Sequence, residues 1–409
     1  MESIPLELKP RRTPQARRQR IDRILGVVAI TTVVIAWIVG ASRAKADLWP
    51  AIEAVFPEAD HITHSDHEGD LYMAWADGDE EHLIGYVALG EANGYGGPLT
   101  MAVGVDANGE IISLSIAQEK ETPSWSTRIR NSDFVSSLLG KSYDEAFKVG
   151  EDVDAITGAT VSSKGIAEAV LNGGQIAARH IGLPVAPLPA PEIVFGIPEI
   201  VLIALFAVGY VAHQAQFKYK KQARWATLIT GMVVLGFIYN APVTLAYINK
   251  FLMGFWPEWQ SNLYWYILIG GIIFVFTIDN KNPYCEWFCP FGAAQECMGL
   301  IGGAKVRSPG NYRQFLKWLQ RGLAWLAVVL ALLYRSPGLT SYEIFGTLFE
   351  LIGSNFQFIL LAIVLLAALF IKRPWCNYLC PLDPVVDFIR MVRKWILDIW
   401  KRQRVKRAA

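Results

Sequence analysis

Pro283-Tyr-Cys-Glu-Trp-Phe-Cys-Pro-Phe291 recurs 91 residues later as Pro374-Trp-Cys-Asn-Tyr-Leu-Cys-Pro-Leu382. Cys285 corresponds to Cys376, Cys289 to Cys380 and Pro290 to Pro381. Each copy follows an apolar stretch, so two hairpins ending in Cys-x-x-x-Cys-Pro read as a parallel repeat about an axis along the membrane normal. Such pseudo-symmetry brings four thiols together at one face. Four convergent thiolates suit an iron–sulfur cluster, with zinc in a closed tetrahedral site as the alternative. The spacing departs from that of bacterial ferredoxins, which leaves the cluster type open; a 4Fe-4S centre is the leading expectation. Proline is favoured at the first position of a helix. Cys289 and Cys380 are therefore expected at helix N-termini, where the dipole lowers a thiol's pKa. Cys297 has no counterpart in the repeat and reads as a packing residue.

Composition places this motif in a membrane protein. The 409 residues are 53% hydrophobic and only 18% charged, against about 25% charged in a soluble domain. With 38 Lys and Arg against 37 Asp and Glu, no net field marks a nucleic-acid partner, and neither a nucleic-acid binder nor a wholly soluble enzyme fits. Five cysteines exclude a disulfide scaffold. Six stretches approach the roughly 17–25 apolar residues that a span needs: Ile24–Ala41, Ile193–Val211, Trp225–Ile248, Leu263–Ile278, Phe315–Tyr334 and Phe356–Ile371. A long basic leader and a weak cleavage site at Ala41–Asp47 favour a retained first span over a signal peptide.

Basic residues set the orientation. Lys9 to Arg23, Lys218 to Arg224, Lys281 to Arg313 and Lys372 to Arg407 hold the Lys and Arg clusters, whereas the two short opposing loops hold only Lys250 and Arg335. The positive-inside rule then puts both termini in the cytoplasm and 47–181 outside. The expected fold class is a multi-pass α-helical protein of the bacterial inner membrane, with six transmembrane helices and an extracytoplasmic α+β domain. Its parts are a basic cytoplasmic N-terminus (1–23), the first span (24–41), the external domain (47–181), a proline-rich linker (182–192), a five-span membrane domain carrying both cysteine motifs (193–390) and a basic cytoplasmic tail (391–409). On the reducing side, structural disulfides between the motif cysteines are disfavoured.

In the external domain Leu71–Trp75, Leu83–Ala88, Met101–Val105 and Ile111–Ala117 alternate as strands, and Asp133–Leu139 and Lys164–Leu171 have helical spacing. His61, His64 and His67 form a His-x-x-His-x-x-His run that could hold a transition metal if helical; a solvated loop is the plainer reading. Asp154-Ala-Ile-Thr-Gly-Ala-Thr-Val-Ser-Ser163 is more distinctive. It leads into a helix and puts the Thr160 and Ser162 hydroxyls near an N-terminus that favours phosphate, although Ser and Thr also cap ordinary helices.

Asp-x-x-Thr-Gly-Ala-Thr resembles the flavinylation motif of the FMN-binding domain family, whose last threonine carries FMN through a phosphoester bond installed by an ApbE-type flavin transferase. The resemblance implies covalent FMN on Thr160, with Asp154, Thr157, Gly158 and Ala159 as motif residues and Ser162 beside them. Gly94-Tyr-Gly-Gly-Pro98 and Glu121-Thr-Pro123 also resemble this domain, which adds Glu121 and Thr122 to the cofactor-binding set; Ser124 and Trp125 depart from the usual glycine that follows. The whole layout resembles the NosR/NirI family of membrane flavoproteins, closest in plan to the C-subunits of organohalide respiration. Larger NosR-type members add a cytoplasmic ferredoxin domain, which does not follow here.

A bis-His haem is not expected, since only His213 lies at a span edge. Glu199 and Asn240 are polar groups at costly positions and candidates for quinone contact. Trp37, Trp256, Trp259, Trp265 and Trp375 read as an interfacial belt. The leading function is a transmembrane electron carrier. Electrons pass between a quinone or cytoplasmic donor, the cysteine centre and FMN to an extracytoplasmic redox partner, with membrane partner subunits as further candidates. A regulatory or maturation factor for an external metalloenzyme is the alternative, and a transporter with a redox sensor is weaker. A hydrocarbon core of about 30 Å separates flavin from cysteines, so another carrier, a partner, or a flavin domain tucked against the membrane is implied.

Overall fold

The computed structural model describes residues 14–43, 48–65, 70–76, 82–121, 123–156, 160–187, 193–213, 217–280, 282–306, 310–339 and 342–408. After the long helix α1 (Pro14–Ser42) and the short α2 (Trp49–Glu53), five strands form one antiparallel sheet in chain order: β1 (His61–His64), β2 (Leu71–Ala76), β3 (His82–Asn93), β4 (Pro98–Val105) and β5 (Ile111–Gln118). Then come α3 (Pro123–Arg130) and α4 (Thr160–Ile181). β4 is buried at nearly every position because the sheet is covered on both faces. On one side Met101, Val103 and Val105 meet Ile166, Ala169 and Val170 of α4. On the other, Val87, Leu89 and Ala102 meet Ile52, Val55 and Phe56 from the α2 region. A side chain at Gly90 would run into the carbonyl of Ala169, so a bare backbone is what lets α4 lie so close to β3.

Two local expectations are corrected. Asp133–Leu139 is not an α-helix: only Ser136–Leu138 makes a tight 3-10 turn. The Ser136 and Ser137 hydroxyls donate to the carbonyls of Asp133 and Phe134, the local bonding by which serine competes with a helix. The histidine run is not helical. His61 and His64 lie in β1, three residues apart on a period of two and so on opposite faces; His61 stacks on Trp75 and His64 meets Tyr72 edge-on. His67 lies outside the described residues.

The second unit is all helical: α5 (Ile197–His213), α6 (Lys220–Thr230), α7 (Leu245–Met253), α8 (Leu263–Asp279), α9 (Pro290–Gly302), α10 (Arg313–Tyr334), α11 (Phe345–Phe349), α12 (Asn355–Ala368), α13 (Pro374–Tyr378) and α14 (Leu382–Ala408). Arg23–Ser42 and Gly310–Tyr334 are long and apolar enough to cross a membrane, while Ile197–Ala212, Leu263–Ile278 and Asn355–Ala368 are apolar but shorter. The stretch expected as one span over Trp225–Ile248 is broken. α6 runs on as π-helix over Gly231–Ile238 and stops at Asn240, which takes a left-handed φ of 41°. Pro242 accounts for the stop, because the residue before a proline is forced out of helical conformation. The described part of the basic C-terminal segment, as far as Ala408, continues α14.

Helix faces turned away from the bundle are apolar. Ile273 and Phe274 on α8, and Phe356, Ile359, Ile363 and Leu366 on α12, are all more than half exposed. α1 packs along α10 through Ala36, Ala327 and Ala331, and Gly40 lies against the Leu332 carbonyl, where any side chain would clash. Small residues at such a contact let two helix backbones approach.

Candidate cofactor sites

The repeat does bring its cysteines together. Cys285 and Cys376 are partly buried, Cys289 and Cys380 fully, all four as free thiols. Each acts electrostatically on others of the set: Cys285 on Cys380, and Cys289 on both Cys285 and Cys376. Pro290 opens α9 with Cys289 at its N-cap. The amides of Phe291 and Gly292 reach the Cys289 sulfur, as that of Leu382 reaches Cys380. Yet the expected lowering of the thiol pKa does not win. Burial pushes all four thiols up, Cys376 to about 12, and outweighs the helix amides and the Arg373 guanidinium. Four such thiols ionise together only around a strong cationic centre.

Polar donors frame the sulfurs. Asn282 Nδ2 donates to Cys285 Sγ at 3.2 Å, and Gln295 Nε2 donates to Cys376 Sγ at 3.3 Å. Gln320 donates to the Cys380 carbonyl at 2.9 Å, and Arg373 to the Cys285 carbonyl at 2.9 Å. Arg373, in left-handed backbone at φ 50°, is held by an ion pair to Glu296 at 2.6 Å. Glu296 also takes both Nη atoms of Arg224, at 2.8 and 2.5 Å. Among the described residues no three His, Cys, Asp or Glu side chains close around one ion position. Thiols with amide donors on their sulfurs suit an iron–sulfur cluster, for which Cys285, Cys289, Cys376 and Cys380 are the candidate ligands. Trp375 is buried in the core, packed on Phe291 and Phe345, and Trp265 is buried too; neither belongs to an interfacial belt.

The flavin motif ends at the start of α4, whose first residue is Thr160, exposed. Asp154 is exposed just upstream; Thr157, Gly158, Ala159 and Thr122 lie outside the described residues. Ser162 is fully buried with its hydroxyl beside the Glu121 carboxyl, whose burial-raised pKa it draws down, yet neither Ser162 Oγ nor Glu121 Oε2 meets full hydrogen-bond geometry with a group of the protein. Glu121 Oε1 accepts the Gly96 amide at 3.1 Å. Gly94 and Gly96 have no room for side chains, which would meet the Glu121 carboxylate and the Lys120 carbonyl. An exposed threonine at a helix N-terminus, with a glycine cradle behind it, fits a bound FMN phosphate, and the buried Ser162 hydroxyl and Glu121 carboxyl would serve polar groups elsewhere on the cofactor.

This domain is seated on the helical unit. The Lys250 ammonium of α7 lies 5.0 Å from the Tyr95 ring centroid, and Tyr95 stacks on Trp125 at 4.9 Å. Phe255 touches bare Gly97, and the Arg335 guanidinium covers Phe255 at 4.8 Å. Burial pulls the Lys250 pKa down to about 8, against the charge of Glu121, and raises Glu121 itself. Burial likewise raises Glu350 to about 7, opposed by Asn240 and by Arg128 of α3. Glu199, a candidate for quinone contact, accepts the Gly196 amide at 2.8 Å and closes the first turn of α5, a structural use of its charge. An apolar cavity of about 1370 Å³ lies among α1, α8, α10 and α14, with Tyr284, Asn282 and Cys285 in its wall.

Two family models match the regions that hold these candidate sites. The FMN-binding domain matches residues 94–174, and the 4Fe-4S binding domain matches 261–309 and 356–399, one segment for each copy of the cysteine motif. Protein NirI of Paracoccus denitrificans is 27% identical over 195 residues, covering 44% of this chain and 28% of that protein. A component of the ion-translocating oxidoreductase complex of Escherichia coli is 29% identical over 132 residues, 30% of this chain and 64% of that component. The putative electron transport protein YccM of Escherichia coli is 26% identical over 135 residues, 29% of this chain and 37% of its own length. The chain thus spans less than two thirds of these relatives. The kinship to NirI, with both domains present in one chain, shows the resemblance to the NosR/NirI-type flavoproteins.

Proposed function

We propose that this chain is a membrane-bound electron carrier passing electrons between a quinone or cytoplasmic donor, a cysteine-ligated 4Fe-4S centre and FMN on Thr160, and on to an extracytoplasmic redox partner. The observation that carries the reading is one chain holding both a four-thiol centre framed by amide donors and a flavin-type site with an exposed threonine. When bound, the two cofactors supply one- and two-electron chemistry that side chains cannot. The protein's residues bind and tune them. Asn282 and Gln295 donate to sulfur, which raises a cluster's potential, while the Glu296 clamp fixes Arg373 beside the thiols.

The exposed apolar faces of α8 and α12 support a multi-pass arrangement in the inner membrane, with the short helices tilting little or thinning the bilayer. In that arrangement both termini are cytoplasmic and the flavin domain is outside, where an ApbE-type transferase would load Thr160. The apolar cavity at Cys285, about 1370 Å³, would admit a lipid-soluble quinone as the donor or acceptor nearest the thiols. Relatives that belong to multi-component oxidoreductase complexes support membrane partners. A resemblance in plan to the C-subunits of organohalide respiration would make an external terminal reductase the recipient.

The test is expression with a flavin transferase, a denaturing gel under ultraviolet light and mapping of the modified peptide. A fluorescent band lost in Thr160→Val supports the reading. An unmodified Thr160 peptide in cells with an active transferase overturns it.

A further inference from the structure

Lys250 and Arg335 are the only basic residues in the stretches 239–262 and 335–355. In the orientation above these are the outward loops, where the positive-inside bias leaves basic residues scarce. Both are directed at the flavin domain. Arg335 covers Phe255, which seats on Gly97, and its charge is felt by Lys120. Lys250 lies on the Tyr95 ring, in the same Gly94–Pro98 loop, and the opposing charge acting on it is Glu121.

Glu121 marks the flavin pocket. Its carboxylate is braced by Gly96 and lies beside Ser162, two residues along α4 from Thr160. A buried carboxylate there opposes any further negative charge in the pocket. Reduction of a flavin by two electrons and one proton leaves an anionic ring, so the charge balance around the pocket enters its potential directly. Lys250, half-buried on the helical unit, offsets Glu121 only while the two units are docked.

Resting on the reading of Thr160 as the FMN carrier, we infer that Lys250 is a positioning residue supplied by the helical unit to the flavin pocket, where its cation raises the reduction potential of FMN. The domain that carries the flavin therefore has one potential when seated on the bundle and a lower one when lifted from it.

The experiment is a redox titration of flavin absorbance in the purified, flavinylated full chain. Lys250→Gln is expected to shift the FMN equilibrium about tenfold toward the oxidised form, roughly 30 mV for a two-electron couple, and Lys250→Arg to restore it. A Lys250→Gln chain that keeps its fluorescent flavin and the wild-type potential overturns the inference alone. A second measurement reads docking without flavin: Tyr95→Cys with Lys250→Cys should form a mapped cross-link in the membrane-bound chain, and failure to cross-link overturns the seating on which the inference depends. A wild-type chain with no fluorescent band on a denaturing gel overturns the underlying reading and this inference with it.

Discussion

Gln295 of the first cysteine motif's helix donates its amide to the Cys376 sulfur of the second motif at 3.3 Å, while its carbonyl oxygen accepts the Trp375 amide at 2.9 Å. One fully buried side chain therefore ties the two copies of the repeat to each other at the thiol centre. Gln295→Leu removes both bonds and strands a buried amide, at a cost of about 1–3 kcal/mol. The variant should lose that much in denaturant unfolding. With one hydrogen bond to sulfur gone, the cluster potential should also move negative in a titration followed by electron paramagnetic resonance. An unmoved potential would leave Gln295 a structural bond only.

Glu296 holds Arg224 and Arg373 together behind the same centre. Burial alone would raise its carboxyl, but the Arg224 bonds and the nearby charges of Arg373 and Lys372 hold it below the usual range. A depressed carboxyl stabilises the fold above its unfolded pKa, and that contribution is lost as pH falls through the folded value. Wild-type stability should therefore drop below about pH 4. Glu296→Gln strands two guanidinium groups and should cost about 3–5 kcal/mol at neutral pH, with a flatter acid limb in thermal melts across pH.

Glu350 has the opposite sign. Burial raises its carboxyl to about 7, against Asn240 and Arg128, so the folded chain keeps a proton that the unfolded chain has already released. Stability should fall as pH rises from the ordinary glutamate range to about 7. Glu350→Gln should remove that slope and be the more stable protein at pH 8, measured as the melting temperature in detergent. A wild-type curve flat over this interval would contradict the raised value.

How much of this was legible before folding depends on range along the chain. The cysteine repeat and the segments Gly94–Pro98, Glu121–Pro123 and Asp154–Thr160 are local strings, and reading them points to both candidate sites. Gln295, Arg224, Glu296 and Arg373 were not singled out, because their partners sit 72 to 81 residues away or on the other copy of the repeat. Asn282 was within reach of inference, three residues before Cys285 in a turn. Pro242 was a signal against a single span over Trp225–Ile248 that hydropathy overrode. Trp375 looked interfacial because it follows a short apolar helix, yet the returning chain buries it completely.

Gly97 shows how a motif glycine can serve a contact outside its own domain. Its φ of 143° is costly for any other residue, and an added side chain would press on the Phe255 ring, which the Arg335 guanidinium also covers. Gly97→Ala should therefore weaken the seating of the flavin domain on the helical unit while the sheet and α4 core, which Gly97 does not enter, stay intact. In the background of Tyr95→Cys and Lys250→Cys, the cross-link should form at least severalfold more slowly with Gly97→Ala. Phe255→Ala, which opens the space, should restore part of the rate lost to the clash but not the part lost to backbone strain. Equal cross-linking rates with and without Gly97→Ala would mean that this loop bears on the membrane unit too loosely for the contact to fix the domain.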